Sequence, residues 1–135
     1  MPNPSRRYLA VCTALGLALG WLPGLVHGPV AAKWDVHAVD GTWVVGGYLA
    51  ARLSIGLWVG ISSTPSSWYL RGPLCGALAM VPVGLVAVSN PLCGSPCMFW
   101  NTLSGSAVGF AVAGLAWSIT GMHSGFADPA AEGPR

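Results

Sequence analysis

The sequence has few charged residues, and this scarcity indicates its class. Only 7% of its 135 residues are charged, four of them acidic and six basic, whereas a soluble domain has roughly 25%. The net charge of +2 is small, and no cluster of Lys and Arg is present, which argues against a nucleic-acid partner. We therefore predict an integral membrane protein that is surrounded by the lipid bilayer and binds no nucleic acid.

Side chains that perform catalysis are also scarce in the apolar parts of the chain. None of the four acidic residues, and no histidine, lies deep in an apolar run, although most enzymes need a placed acid, base or metal. His27, Asp35, His37 and Asp40 share one loop, but their spacing matches no metal-ligand pattern. The sequence thus indicates no catalytic residue, no metal and no cofactor, and it does not favour an enzyme.

Apolar runs of about 20 residues make up most of the chain. An α-helix rises about 1.5 Å per residue, so roughly 20 residues cross a hydrocarbon layer about 30 Å thick. The runs are too long and too uniformly apolar for the alternating strands of a membrane barrel. We predict one all-α membrane domain at 1–121, a bundle of four transmembrane helices at about 8–26, 43–62, 70–89 and 99–121, followed by a disordered tail at 122–135.

The first apolar run has a second interpretation. Arg6 and Arg7 precede it, and the small residues Val30, Ala31 and Ala32 follow it, as in a cleaved signal peptide. However, the run is longer than a usual signal core of roughly 7–15 residues. We therefore expect it to remain as a helix, whereas cleavage would leave three helices.

The basic residues predict the orientation. If both termini are cytoplasmic, Arg6, Arg7, Arg71 and Arg135 lie inside and Lys33 lies outside, as the positive-inside rule favours. In this orientation Arg71 would anchor the third helix at the cytoplasmic membrane face. The expected location is a cell membrane, the bacterial inner membrane, crossed several times.

Two cysteines lie close together before the last apolar run. Cys93 and Cys97 enclose Gly, Ser and Pro, which suit a tight turn. One interpretation is a disulfide, and the other is a pair of thiol ligands for a metal. Zinc would need further ligands, but Cys12 and Cys75 both lie in apolar runs. Because the predicted orientation places the turn outside, where disulfides persist, we favour a disulfide between Cys93 and Cys97.

Arg52 is the one charged residue deep inside an apolar run. An arginine at mid-bilayer costs roughly 2.5–3.5 kcal/mol on insertion scales, so its side chain normally faces protein or trapped water. Two partners stay open for its guanidinium: a backbone carbonyl freed by Pro82, or a bound anion or lipid phosphate. By helical spacing, Arg52 shares its helix face with Tyr48, Gly56 and Gly60.

Small residues recur at helical spacing in several runs. Small residues four apart let two helices approach closely. The predicted packing residues are Gly16, Gly20 and Gly24 in the first run, Gly56 and Gly60 in the second, and Gly105, Gly109 and Ala113 in the last.

Two functions are compatible with these features. The first is a small accessory or assembly protein that packs its glycine faces against copies of itself or against a larger membrane complex. It is favoured because the chain has more close-packing surface than four short helices need for themselves. The second is a channel or transporter for anions or small solutes, with Arg52 as the intramembrane ligand-binding site and Tyr48 as a nearby hydroxyl.

Overall fold

In the computed structural model, the chain forms a bundle of helices. The structure describes residues 5–20, 41–88 and 94–122, and within these ranges it contains four α-helices and no strand. The predicted all-α class is therefore confirmed. The helices are α1 (Arg6–Leu19), α2 (Gly41–Ile61), α3 (Trp68–Val88) and α4 (Gly94–Thr120).

The start of α4 differs from the prediction. The helix begins at Gly94 and not near residue 99, so Cys97 lies in its first turn and not in a loop. Pro96 does not prevent this early start, because the first turn of a helix needs no backbone donor. The helix α1 ends at Leu19, with Gly20 as its C-cap, before the predicted end near residue 26. Outside the described residues lie Gly24, the loop at 27–40, Cys93 and the tail from residue 123.

The helices α1 and α2 form an antiparallel pair held together by glycines. A Cβ added to Gly16 would lie 2.6 Å from the Cα of Gly56, so the two backbones are in direct contact. Any side chain at these positions would hold the helices apart. Along the pair, the facing residues are Gly60 with Leu9, Gly56 with Cys12 and Gly16, and Gly20 with the backbone of Arg52.

The helices α3 and α4 form a second antiparallel pair, with the most extensive interface in the bundle. A Cβ on Gly76 would collide with the carbonyl oxygen of Gly105. The backbones of α3 and α4 are therefore also in direct contact. Along the pair, the facing residues are Gly72 with Gly109 and Ala113, Gly76 with Gly105 and Gly109, and Gly84 with Met98.

The two pairs pack side by side into a four-helix bundle. Each helix contacts the next one in the chain, and α1 also contacts α4, so α1 and α3 are diagonally opposed, as are α2 and α4. One end of the bundle, which we call the turn end, carries the start of α1, residues 62–67 and the end of α4. The buried core between the helices consists of Tyr8, Cys12, Ile55, Val59, Cys75, Met80, Val108, Val112, Ala113 and Ala116.

One helix of the described part is long and apolar enough to cross a membrane. It is the segment Met98–Thr120 of α4, with 23 residues and a mean hydropathy of 1.4. Within the ranges that the structure describes, no second helix meets this test, and Ala50–Ile61 is a shorter apolar stretch. Four membrane crossings therefore stay a prediction.

Candidate functional site

Arg52 lies in the interior of the bundle. Its side chain is completely buried, and its Nη2 donates a hydrogen bond of 3.0 Å to Ser104 Oγ on α4. The Ser104 hydroxyl in turn donates to the carbonyl oxygen of Asn101 at 2.9 Å. Gly56 and Gly60, which share the Arg52 face, are buried as well. The guanidinium is therefore enclosed by protein and is joined across the bundle to the diagonally opposite helix.

The hydrogen bond to Ser104 was not expected from the sequence. Pro82, the proline expected to free a carbonyl for Arg52, is exposed on α3. Ser104 precedes Gly105 of the predicted packing row, but α4 also contains Ser95, Ser106 and Ser118. Nothing local distinguishes the serine that meets the guanidinium from the other three.

The structure corrects the prediction for Arg71. Instead of anchoring α3 at a membrane face, its side chain is completely buried. Its Nη2 donates to the hydroxyl of Tyr8 at 2.8 Å, and its Nη1 donates to the carbonyl oxygens of Pro65 at 3.3 Å and Ser66 at 3.2 Å. The guanidinium carbon lies 5.9 Å from the centre of the Tyr8 ring. The first turn of α3 therefore faces inward, where Arg71 joins α1, the 62–67 turn and α3.

The two buried arginines cross the bundle on its two diagonals. Arg52 joins α2 to α4, and Arg71 joins α3 to α1. Ser104 is nine residues from Ala113, which packs at the level of Gly72 beside Arg71, so the two levels are about 13 Å apart along the bundle. Two buried positive charges thus lie between the four helices, one in the middle of the bundle and one at the turn end.

Apolar side chains separate the two arginine levels. On α2, Ile55 and Val59 lie between Arg52 and the turn end. On α4, Val108 and Val112 lie between Ser104 and the turn end. All four are buried in one apolar cluster. The free, buried thiols of Cys12 and Cys75 belong to the same cluster, one helical turn from Tyr8 and Arg71 respectively. The thiol of Cys75 also contacts Ser62, with Sγ 3.3 Å from the hydroxyl oxygen.

Some predicted site residues are not described in full. Tyr48 belongs to α2, but its side chain lies outside the described part of the structure, as do Cys93 and the side chain of Cys97. The ligand role of Tyr48 and the disulfide therefore stay predictions.

The predicted packing residues that the structure describes all contact another helix of the same chain. They are Gly16, Gly20, Gly56, Gly60, Gly105, Gly109 and Ala113. The prediction omitted their partners on α3, Gly72 and Gly76, although the same spacing of four residues marks them. The glycine rows therefore build the bundle itself.

The arrangement at Arg52 is of a kind that can recognise an anion. A guanidinium offers a planar set of donors that matches phosphate and carboxylate groups, and Ser104 places a hydroxyl beside it. Among the described residues, no group of three or more His, Cys, Asp or Glu is placed to hold a metal ion. No protein-family model, no curated protein and no solved structure matches this chain.

Proposed function

We propose that this chain is a multi-pass membrane protein that binds a small anion at Arg52 and passes it across the bilayer as a channel or transporter. The observation that carries the proposal is the complete burial of Arg52 halfway along α2, with its guanidinium bound to Ser104 on the diagonally opposite helix. A buried positive charge beside a hydroxyl, about midway along the bundle, supports a binding site for an anion there.

The outer surface of the bundle supports several membrane crossings. Large apolar side chains are exposed on α2, α3 and α4, among them Leu78 at 68% and Phe99 at 62%. On α4, Trp100 and Trp117 are exposed and 17 residues apart, about 26 Å along the helix. This separation suits aromatic layers at the two interfaces of a hydrocarbon core about 30 Å thick. The helices α2 and α3 have 21 residues each, or about 31 Å.

The surroundings of Arg52 favour anion binding. In the interior of a protein within a bilayer, the effective dielectric constant is low, so an anion beside a guanidinium is held more strongly than in water. The second positive charge, on Arg71, lies at a level about 13 Å further along the bundle and adds to the attraction. Buried ionisable residues of this kind mark ion and substrate pathways in many membrane proteins.

Anion flux into liposomes tests the proposal. We expect purified protein in liposomes to take up chloride or inorganic phosphate, and we expect Arg52→Gln to reduce the rate at least about tenfold, because the charge is lost. Ser104→Ala should reduce the rate about tenfold, since it removes a hydrogen bond to a charged group, worth about 1.5 kcal/mol.

Ser118→Ala is the matched control for this experiment. Ser118 lies on the same helix and donates the same type of hydrogen bond, to the carbonyl oxygen of Leu115 at 2.8 Å, but it is exposed. Its variant should transport at the wild-type rate. Flux that is unchanged in a folded Arg52→Gln protein, or wild-type uptake no faster than in empty liposomes, would refute the function.

Membrane insertion has its own test. We expect the full chain to stay in the membrane fraction after alkaline carbonate extraction, because its apolar surface is not stable in water. If the chain starts in the cytoplasm and crosses the membrane an even number of times, its C-terminus is also cytoplasmic. Alkaline phosphatase fused after Arg135 should then be inactive, and green fluorescent protein fused there should fluoresce. The reverse pattern would show that the number of crossings or the orientation is wrong.

An accessory or assembly protein is the second candidate, and one feature of the surface favours it. Trp68, Tyr69, Phe110 and Trp117 form an aromatic group on the outside of α3 and α4, and the rings of Trp68 and Trp117 are stacked 5.5 Å apart. Because the glycine rows are used inside the bundle, a second copy or a larger complex would bind at this group. Native mass spectrometry that finds only a monomer would count against this function.

A further inference from the structure

We infer that the contact between Arg71 and Tyr8 is a gate that closes the turn end of the bundle below Arg52. The inference rests on the proposed anion pathway and extends it, because it says which side of Arg52 is closed in this conformation. The gate consists of the Arg71 guanidinium, the Tyr8 hydroxyl and the carbonyl oxygens of Pro65 and Ser66.

The packing of the helices determines where the bundle can open. Within each pair, glycine backbones are in direct contact, and in this proposal each pair moves as one unit. In the proposed opening, the two pairs rock against each other, as the halves of many transporters do. At the turn end, α1 and α3 belong to different pairs and make few direct contacts, but Arg71 and Tyr8 bridge them. Separation of the pairs at this end must break that hydrogen bond.

The space between the two arginines is closed as well. Ile55, Val59, Val108 and Val112 fill the core between the level of Ser104 and the level of Arg71. A narrow apolar stretch of this kind excludes ions because it does not hold water. An anion at Arg52 therefore reaches the turn end only after the pairs have separated there, and in the predicted orientation this end faces the cytoplasm.

The two buried thiols report on the gate without any transport measurement. Cys12 lies one turn after Tyr8, and Cys75 lies one turn after Arg71, and both are buried. In a Cys93→Ser/Cys97→Ser background, we expect both thiols to react slowly with a water-soluble maleimide. Tyr8→Phe removes the hydroxyl that Arg71 binds, but the same hydroxyl also contacts the Cys12 thiol. Cys75 is therefore the reporter for this variant, and its labelling should become about tenfold faster, the effect of losing a hydrogen bond to a charged group.

Two further variants complete the experiment. Tyr69→Phe removes a hydroxyl from an exposed tyrosine near Arg71 and should leave labelling unchanged. Arg71→Lys keeps the charge but not the planar set of donors, so it should speed labelling as Tyr8→Phe does. This variant tests the gate if Tyr8→Phe does not fold.

The outcomes separate the gate from the proposed function. Faster labelling together with faster anion uptake in Tyr8→Phe supports both. If labelling becomes faster but no variant transports an anion, the contact closes the turn end and the proposed anion transport is rejected. Labelling at the wild-type rate in folded Tyr8→Phe or Arg71→Lys protein overturns the gate, whatever the flux.

Discussion

Replacing Gly76 by alanine is expected to lower the stability of the bundle by roughly 3 kcal/mol, the upper end of the usual range for overpacking. The added Cβ would collide with the carbonyl oxygen of Gly105. That atom belongs to the backbone of α4, so it moves only if the two helices separate. Alanine is a better helix former than glycine by about 1 kcal/mol, which is too little to offset the loss of the tightest interface in the bundle.

Gly46→Ala is the matched control for this substitution. Gly46 lies in α2, and a Cβ added there meets no atom within 4 Å, so only the helix preference of alanine acts. We expect this variant to be as stable as the wild type or more stable by up to about 1 kcal/mol. Thermal unfolding in detergent, followed by circular dichroism, compares the two. Equal unfolding temperatures for Gly76→Ala and Gly46→Ala would show that the α3–α4 contact is not as close as the structure places it.

Arg71→Ala should lower stability by about 3 kcal/mol, because several effects add. The variant removes the donor for the Tyr8 hydroxyl and for the carbonyl oxygens of Pro65 and Ser66, and each buried polar group left without a partner costs about 1–3 kcal/mol. It also leaves a cavity where a large, fully buried side chain was. Relief from burying a charge acts in the opposite direction, so the net loss is less than the sum.

Two controls separate these effects. Arg71→Met fills most of the volume without hydrogen bonds or charge, so it should be less destabilising than Arg71→Ala. Arg7→Ala removes an exposed arginine from α1 and should change stability by less than about 0.5 kcal/mol. Unfolding by increasing amounts of sodium dodecyl sulfate in mixed micelles gives the comparison. If Arg71→Ala and Arg7→Ala unfold at the same amount of sodium dodecyl sulfate, the buried contacts of Arg71 do not stabilise the fold.

The positions of the two arginines show how far sequence patterns reach. Arg52 lies in the middle of an apolar run, where lipid exposure is so unfavourable that an inward orientation follows from position alone. Arg71 lies near the end of a run, where a long side chain can extend either to the membrane surface or into the bundle. The preference for the surface was wrong, because the rotation of α3 is set by contacts of Gly72 and Gly76 with α4, and these contacts turn Arg71 inward.

The glycine rows show the same limit. Their spacing predicts that one face of each helix packs closely, because periodicity along a helix is a local property. It does not tell which helix is the partner, and a face that packs on another protein has the same pattern as one that packs within the chain. The structure pairs the rows of α1 with α2 and of α3 with α4, so they are not available to a partner.

Apolar runs and their length were sufficient to predict the helical class and the approximate positions of the helices, since both depend on residues close together in the chain. The diagonal pairs, Arg52 with Ser104 and Arg71 with Tyr8, join residues 52 and 63 positions apart. Which side chains meet at such distances depends on how each helix is rotated and on which helices are opposed in the bundle. Packing of the whole chain sets both, so only the tertiary structure showed that both arginines are buried between the helices and which side chains they bind.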